Sequence, residues 1–323
     1  MRTSLFLSML ALCILAACRP GIHGASEYAI DLDKAVSAAE AGDLILVHDE
    51  VVMDPNLSLS DDVELLVSDG IILLRDRQGL IPSLCLLDRD GLMHDMISRQ
   101  GDGPEEYLGL DHFQYADKTV EIQDGPGNRL LHYSLECEFL DAVQAGFPMG
   151  GSAYIRDGSS CWFDRSYSPA DEGAERFCLV RTDGELEVQE AFLPHEGALD
   201  PSLAPRHAFW TCDGRVHYFQ PFTRTAYELV PGKEPETAWT LDFGADDSVS
   251  ALNAEETSDQ ICLDLSSQGR NYLVAISKKT GKTCTLRFDG AIPSGFRPIA
   301  TWEGWFVAMD PGIPLIRFFK FDL

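Results

Sequence analysis

The feature that most constrains this chain is a recurring tight turn. An Asp-Gly or Glu-Gly pair sits between two short strand-like runs at Val67-Ser-Asp-Gly-Ile-Ile-Leu-Leu74 and at Tyr154-Ile-Arg-Asp-Gly-Ser-Ser-Cys-Trp-Phe163. It returns at Phe209-Trp-Thr-Cys-Asp-Gly-Arg-Val-His-Tyr-Phe219 and at Ala300-Thr-Trp-Glu-Gly-Trp-Phe-Val307. Asp-Gly accepts the positive φ angles that a two-residue hairpin demands, so each occurrence marks a pair of antiparallel strands. A second turn follows downstream in several units, as in Leu86-Leu-Asp-Arg-Asp-Gly-Leu-Met93, Cys178-Leu-Val-Arg-Thr-Asp-Gly-Glu-Leu186 and Val274-Ala-Ile-Ser-Lys-Lys-Thr-Gly-Lys-Thr-Cys284. Two hairpins per unit make a four-stranded sheet, and units of about 40 to 50 residues with that content read as propeller blades.

The spacing therefore predicts an all-β chain, a six-bladed β-propeller, with blades near 60–100, 110–145, 150–194, 206–244, 258–290 and 298–323. Five or seven blades are the alternatives, because the units differ in length. The last unit is one strand short. The run Asp43-Leu-Ile-Leu-Val-His-Asp-Glu-Val-Val-Met53 supplies that strand, so an N-terminal strand closes the last blade and removes an exposed sheet edge. Connectors are expected at 194–206 and at the acidic stretch 243–259. Helical periodicity is scarce, and only Asp31 to Gly42 predicts one or two helical turns, with Gly42 as the stop.

The start of the chain carries an address. Arg2 precedes an apolar run from Leu5 to Ala17, too short to span a bilayer and of the right length for an export signal. It ends Leu15-Ala-Ala-Cys18, small residues before a Cys, which matches the bacterial lipoprotein signal and predicts acylation of Cys18. Several acyl chains anchor stably where one does not. The expected organisation is 1–17 signal peptide, 18–42 lipid-anchored linker and 43–323 propeller, with an ordinary cleaved signal as the alternative. No later apolar run reaches transmembrane length.

Charge and cysteines narrow the partners. Lys and Arg number 25 against 52 Asp and Glu, a net charge of −27. Such a surface repels nucleic-acid phosphates and anionic lipid faces, so no nucleic-acid partner is expected and membrane contact runs through acylated Cys18. It also attracts cations, Ca²⁺ among them. The nine Cys form no CxxC pair and no Cys/His set at zinc spacing. Those beyond Cys18 mostly sit among apolar residues and are expected as buried free thiols, a disulfide or two being the alternative in an exported chain.

Catalytic signatures are missing. The eight His form no HExxH, and neither a GxSxG elbow nor a P-loop occurs. The acid pairs Asp61-Asp62, Asp246-Asp247 and Glu255-Glu256 read as solvated loop charges. Trp210, Trp302 and Trp305 flank inner-hairpin turns, near where a propeller opens its axial mouth; they are expected to pack between blades or, alternatively, to stack on a sugar.

One run is more specific, Ile97-Ser-Arg-Gln-Gly-Asp-Gly-Pro-Glu-Glu-Tyr107. Gly101 and Gly103 allow a sharp exit from a strand. Pro104 pre-sets φ for the first position of a helical turn, whose N-terminal end Glu105 and Glu106 favour. Tyr107 can plug an apolar gap between blades. The run reads as a structural blade junction, the alternative being that Arg99 and Glu106 face a ligand. With Leu87-Asp-Arg-Asp-Gly-Leu92 before it and Asp111-His-Phe113 after it, the run resembles the six-bladed β-propeller lipoproteins of Bacteroidota, an NHL-like group. The resemblance implies a propeller held in the cell envelope and brings no assigned activity; the outer membrane is the expected site, and the lack of an acidic run after Cys18 makes its periplasmic side the expected face. The expected function is a binding or scaffold module for a glycan or an envelope protein. The alternative is a Ca²⁺-dependent hydrolase or lactonase-like enzyme with its site at the axial mouth; outside that alternative no cofactor is expected.

Overall fold

The computed structural model of the protein describes residues 25–37, 44–168, 176–195, 199–246, 248–310 and 312–323. The expected signal peptide, Cys18 and the proposed stop at Gly42 lie outside the described residues.

Three strands precede the first blade: β1 (Ser26–Ala29), β2 (Val36–Ser37) and β3 (Ile45–Val52). Blade one is β4 (Val63–Ser68), β5 (Ile71–Asp76), β6 (Leu84–Asp88) and β7 (Met93–Ile97). Blade two is β8 (His112–Ala116), β9 (Thr119–Asp124), β10 (Arg129–Tyr133) and β11 (Phe139–Gln144). Blade three is β12 (Ala153–Asp157), β13 (Ser160–Asp164), β14 (Arg176–Thr182) and β15 (Val188–His195). Blade four is β16 (Phe209–Cys212), β17 (Arg215–Gln220), β18 (Thr225–Leu229) and β19 (Glu236–Asp242). Blade five is β20 (Val249–Glu256), β21 (Gln260–Ser267), β22 (Arg270–Ser277) and β23 (Thr283–Phe288). Blade six is β24 (Ala300–Trp302), β25 (Trp305–Asp310) and β26 (Leu315–Phe321), completed by β3. The inner strands β4, β8, β12, β16, β20 and β24 neighbour one another in a closed ring.

The N-terminal closure is as expected: β3 pairs antiparallel with β26, from Val52 opposite Leu315 to Ile45 opposite Phe321. Three expectations need correction. The segment assigned to a linker is partly built into the ring, because β1 runs parallel to β19 and β2 parallel to β23 as fifth strands of blades four and five. Tyr28 explains the first addition, since its ring is buried among Trp239 and Leu241. Among the described residues, the helical turns expected from Asp31 amount to a 3₁₀ turn at Leu32–Lys34, N-capped by the Asp31 carboxylate. Likewise, the acidic stretch 243–259 is not a connector throughout, since it contains β20, the inner strand of blade five.

Each apolar strand serves two neighbours, so the core is divided among the clefts between blades. On β5, Ile72 and Leu74 face blade six while Leu73 faces blade two. On β13, Cys161 and Phe163 face blade two while Trp162 faces blade four. On β21, Ile261, Leu263 and Leu265 face blade four while Cys262 faces blade six. Burial on both faces is why these strands read as unbroken apolar runs rather than alternating ones. A fully buried side chain of this size contributes roughly 1.5–3 kcal/mol. The seven cysteines from Cys85 to Cys284 are free thiols, all buried except the half-buried Cys284.

Candidate axial site

The inner strands enclose a cavity of about 580 Å³ on the propeller axis. A volume of this order is that of a small-molecule site. Every blade contributes to its wall. Blade one gives Glu64 and the turn Asp69-Gly70, blade two His112, Gln114 and Tyr115, and blade three Ala153 and Ile155. Blade four gives His207 and Phe209, blade five Glu255, and blade six Ile299 and Trp302. Asp69 and Gly70 hold φ of 48° and 78°, and Glu303 and Gly304 hold 45° and 80°, so the hairpin turns read from the sequence form one end of this channel.

Two carboxylate–imidazole pairs sit in the wall. His112 Nδ1 lies 3.4 Å from Glu64 Oε1, and His207 Nδ1 lies 2.7 Å from Glu255 Oε1. In each pair the carboxylate side chain is only 8 % exposed while the imidazole is about 20 % exposed, at 21 % for His112 and 20 % for His207. Burial alone would push the Glu64 carboxyl up; the His112 imidazole, with His207 and the Arg75 guanidinium, outweighs it and holds Glu64 at about 2. Burial pulls the His207 imidazole down, and the Glu255 and Glu64 carboxylates reverse this, so His207 lies above its ordinary value. Arg75 is fixed in turn, donating from Nη1 to Glu64 Oε2 at 3.3 Å and to the Asp111 carbonyl at 2.7 Å.

A third carboxylate is buried one step behind the wall. Glu256 Oε2 accepts from Trp210 Nε1 at 3.1 Å, Trp239 Nε1 at 3.1 Å and His217 Nδ1 at 3.0 Å, while Oε1 accepts from Lys278 Nζ at 2.6 Å. The pair Glu255-Glu256 is thus not a solvated loop charge: both lie on β20, 6 % and 1 % exposed. Every donor available to them comes from a neighbouring blade or strand, which sequence spacing does not display. Asp61 is exposed as expected, Asp62 and Asp246 are half-buried, and Asp247 lies outside the described residues.

The three tryptophans have separate fates. Trp210 lines the cavity but is 5 % exposed, with its indole N–H committed to Glu256. Trp302 lines the cavity half-exposed, with the Arg89 guanidinium 5.4 Å from its ring centroid. Trp305 is turned elsewhere, stacked on His48 at 4.2 Å and 7° with Lys320 Nζ 4.7 Å from its ring. The structure brings Trp210 and Trp302 to the axial site and not Trp305.

The blade-junction run forms a closed turn rather than the start of a helix. Glu106 N donates to the Gly103 carbonyl at 3.2 Å across Pro104 and Glu105, and the Glu106 carboxylate folds back to accept Gly103 N at 2.9 Å. A Cβ on Gly101 would lie 2.0 Å from Glu106 Oε2, so the carboxylate fills the room a side chain would need. Tyr107 is fully buried between blades one and two, donating from its hydroxyl to the Pro82 carbonyl at 2.5 Å. Arg99, weighed above as ligand-facing, donates to Glu105 at 3.0 Å and to the Cys137 carbonyl at 3.2 Å.

Glu64, His112, His207 and Glu255 were not singled out from the sequence as a site. The only signal was a charged or aromatic-polar residue inside an apolar strand, as Glu64 is in Val63-Glu-Leu-Leu-Val67. No group of three or more His, Cys, Asp or Glu is placed to hold a metal ion among the described residues. The wall mixes carboxylates, imidazoles and aromatics, which does not favour the Ca²⁺-dependent hydrolase.

A family model described as DUF5128, a 6-bladed beta-propeller, matches residues 58–290. Among solved structures, a Bacteroides fragilis protein described as exported superposes with a TM-score of 0.74 at 15% identity, covering 93% of this chain and 100% of its own. A member of the DUF4221 family from Bacteroides vulgatus gives 0.55 at 8% identity over 86% of this chain and 98% of its own. A Bacteroides thetaiotaomicron protein of unknown function gives 0.50 at 13% identity over 92% and 74%. At these identities the likeness is one of fold. No curated protein matches the chain.

Proposed function

The chain belongs to the DUF5128 family of six-bladed β-propellers, and on that premise we propose that it is an exported binding module of the cell envelope that seats its ligand at the axial mouth. The observation that carries this reading is the cavity of about 580 Å³ whose wall joins half-exposed aromatic rings (Trp302, Tyr115, Phe209) to hydrogen-bonding groups from four blades. A concave site that sets convergent polar groups beside aromatic and aliphatic side chains is the usual form of a binding site. The structural likeness to an exported Bacteroides protein supports the compartment. Acylation of Cys18 would hold the module at the outer membrane, on the periplasmic side, and the surplus of acid leaves that covalent link as the means of membrane contact.

The reading is tested by incubating the purified propeller with a small-molecule and glycan extract of the cell envelope and identifying what co-elutes by mass spectrometry. Wild type is expected to retain a ligand that Trp302→Ala releases. Equal retention by both, or by neither, removes the axial mouth as the site. Mass analysis of the mature N-terminus from untreated cells tests the anchor separately: an acylated Cys18 is expected, with globomycin leaving the signal peptide attached, and an unmodified mature terminus that forms regardless of globomycin overturns it.

A further inference from the structure

Resting on the axial reading above, we propose that the ligand is a carbohydrate whose terminal pyranose ring is held edge-on between the two Glu–His pairs, His112 Nε2 and His207 Nε2 being the groups that touch it.

The placement of the pairs around the axis carries this. In a ring of six blades, one lies opposite four and two lies opposite five. Glu64 on blade one therefore faces His207 on blade four, and His112 on blade two faces Glu255 on blade five. The mutual electrostatic influence of Glu64 and His207 fits that closeness across the channel. The remaining two blades, three and six, also face each other, and they contribute Ala153 and Ile155 against Ile299 and Trp302. The cavity thus carries its imidazole–carboxylate pairs on two opposed walls, while the other two are mostly apolar, with Thr301 and Glu303 of blade six as exceptions. A pyranose ring has the same pattern, with hydroxyls around its edge and C–H surface on its two faces. Aromatic and aliphatic walls take such faces, and imidazoles take such hydroxyls as donors or acceptors.

The carboxylates are positioning residues. Both histidines engage their carboxylate through Nδ1, which orients the ring, and Nε2 of each has no protein partner among the described residues. Glu64 is itself occupied by Arg75, so little of its capacity is left for a ligand. An anionic ligand fits this wall poorly, because Arg75, His112 and His207 are matched by Glu64 and Glu255 and the lining adds Asp69 and Glu303, against the one further cation Arg89 over Trp302.

The test is a glycan array carrying neutral, amino-sugar and uronic-acid termini, followed by isothermal titration of any hit against wild type and variants. At least one oligosaccharide is expected to bind. His207→Ala and His112→Ala are each expected to weaken it about tenfold, the loss for one buried hydrogen bond. His207→Gln, which keeps a side-chain donor and acceptor, is expected to recover part of that loss, whereas a merely structural role for the ring would give Gln and Ala the same affinity at equal melting temperature. Should the histidine variants fail to fold, Ala153→Trp fills the cavity from an apolar wall, and it is expected to abolish binding while leaving the pairs in place. An array with no hit, or a hit indifferent to these substitutions, overturns the carbohydrate assignment. If the envelope extract then still yields a non-carbohydrate ligand that Trp302→Ala releases, the axial site stands and only the ligand class falls.

Discussion

Glu256 of blade five accepts the indole N–H of Trp239 from the outer part of blade four at 3.1 Å, in a position where the carboxylate is 1 % exposed. Burial alone would push this carboxyl up; the His217 imidazole and the Lys278 ammonium outweigh it and hold it at about 2. A charge so enclosed survives because four donors converge on it, two of them cationic when His217 is protonated, and it ties blade four to blade five across a cleft otherwise filled by apolar side chains. Removing it strands Lys278, His217 and two indole N–H groups at once. Glu256→Ala is expected to cost about 3–5 kcal/mol, and Glu256→Gln less, about 2 kcal/mol, because the amide oxygen still accepts. Urea unfolding followed by tryptophan fluorescence reads the difference; a change below 1 kcal/mol for Ala, as roughly an exposed pair would give, denies the anchor.

Acid weakens the fold through the same carboxylates. Glu64 and Glu256 both stand near 2 against an ordinary 4.5. A group depressed on folding contributes stability that is fully present above its unfolded value and is lost as pH falls through its folded one. The urea midpoint is therefore expected to fall between about pH 4.5 and pH 2, and Glu64→Gln to flatten that fall. A midpoint unchanged between pH 5 and pH 3 contradicts the assignment.

His207 works in the opposite direction. Its value is raised in the folded protein, so its contribution is full below its unfolded value, ordinarily 6.5, and is lost as pH rises through the raised one. NMR titration of the imidazole is expected to show a value above 6.5 that drops in Glu255→Gln. An upward move in that variant would show that Glu255 is not the partner that matters.

Gly101 and Glu106 should behave as one unit. Gly101→Ala drives a Cβ into the Glu106 carboxylate and breaks its bond to Gly103 N, a loss of about 1–2 kcal/mol. In Glu106→Ala the obstruction is gone, so adding Gly101→Ala is expected to cost less than 0.5 kcal/mol, roughly the size of an ordinary surface change. Additive losses in this double-mutant cycle would mean that the carboxylate does not fill that room.

Tyr28 tests whether the start of the described chain belongs to the ring. Its ring lies buried with Trp239 and Leu241, and β1 runs along β19. Tyr28→Ala is expected to destabilise by about 3 kcal/mol, as a large core truncation does, whereas a residue in a mere linker would cost almost nothing.

Much of the fold was legible because hairpin chemistry is local. Asp69-Gly70, Asp213-Gly214 and Glu303-Gly304 all adopt the paired positive φ angles that their sequences advertise. The hairpin at Asp117-Lys118 has the same backbone at 50° and 63° with no glycine to announce it. The inner strand of blade five, β20, escapes the sequence reading because it lies in a stretch whose acids suggest a loop; the partners that make Glu255 and Glu256 tolerable there are His207, Trp210 and Lys278, each from another part of the chain. The site was hidden for the same reason. Glu64, His112, His207 and Glu255 are spread over some 190 residues and meet only because six inner strands converge on one axis. The added strands β1 and β2 were missed because a short parallel pairing onto an outer edge leaves no turn signature.

Those two strands have a temporal consequence. As synthesis proceeds from the N-terminus, β1 appears before its partner β19, which arrives some 200 residues later, and β3 waits for β26 near the far end. Nothing local can satisfy either in the meantime, so the early segment stays extended and the ring cannot shut until its last blade is delivered. A protein assembled in this order commits to its closed shape only once its final strand is present.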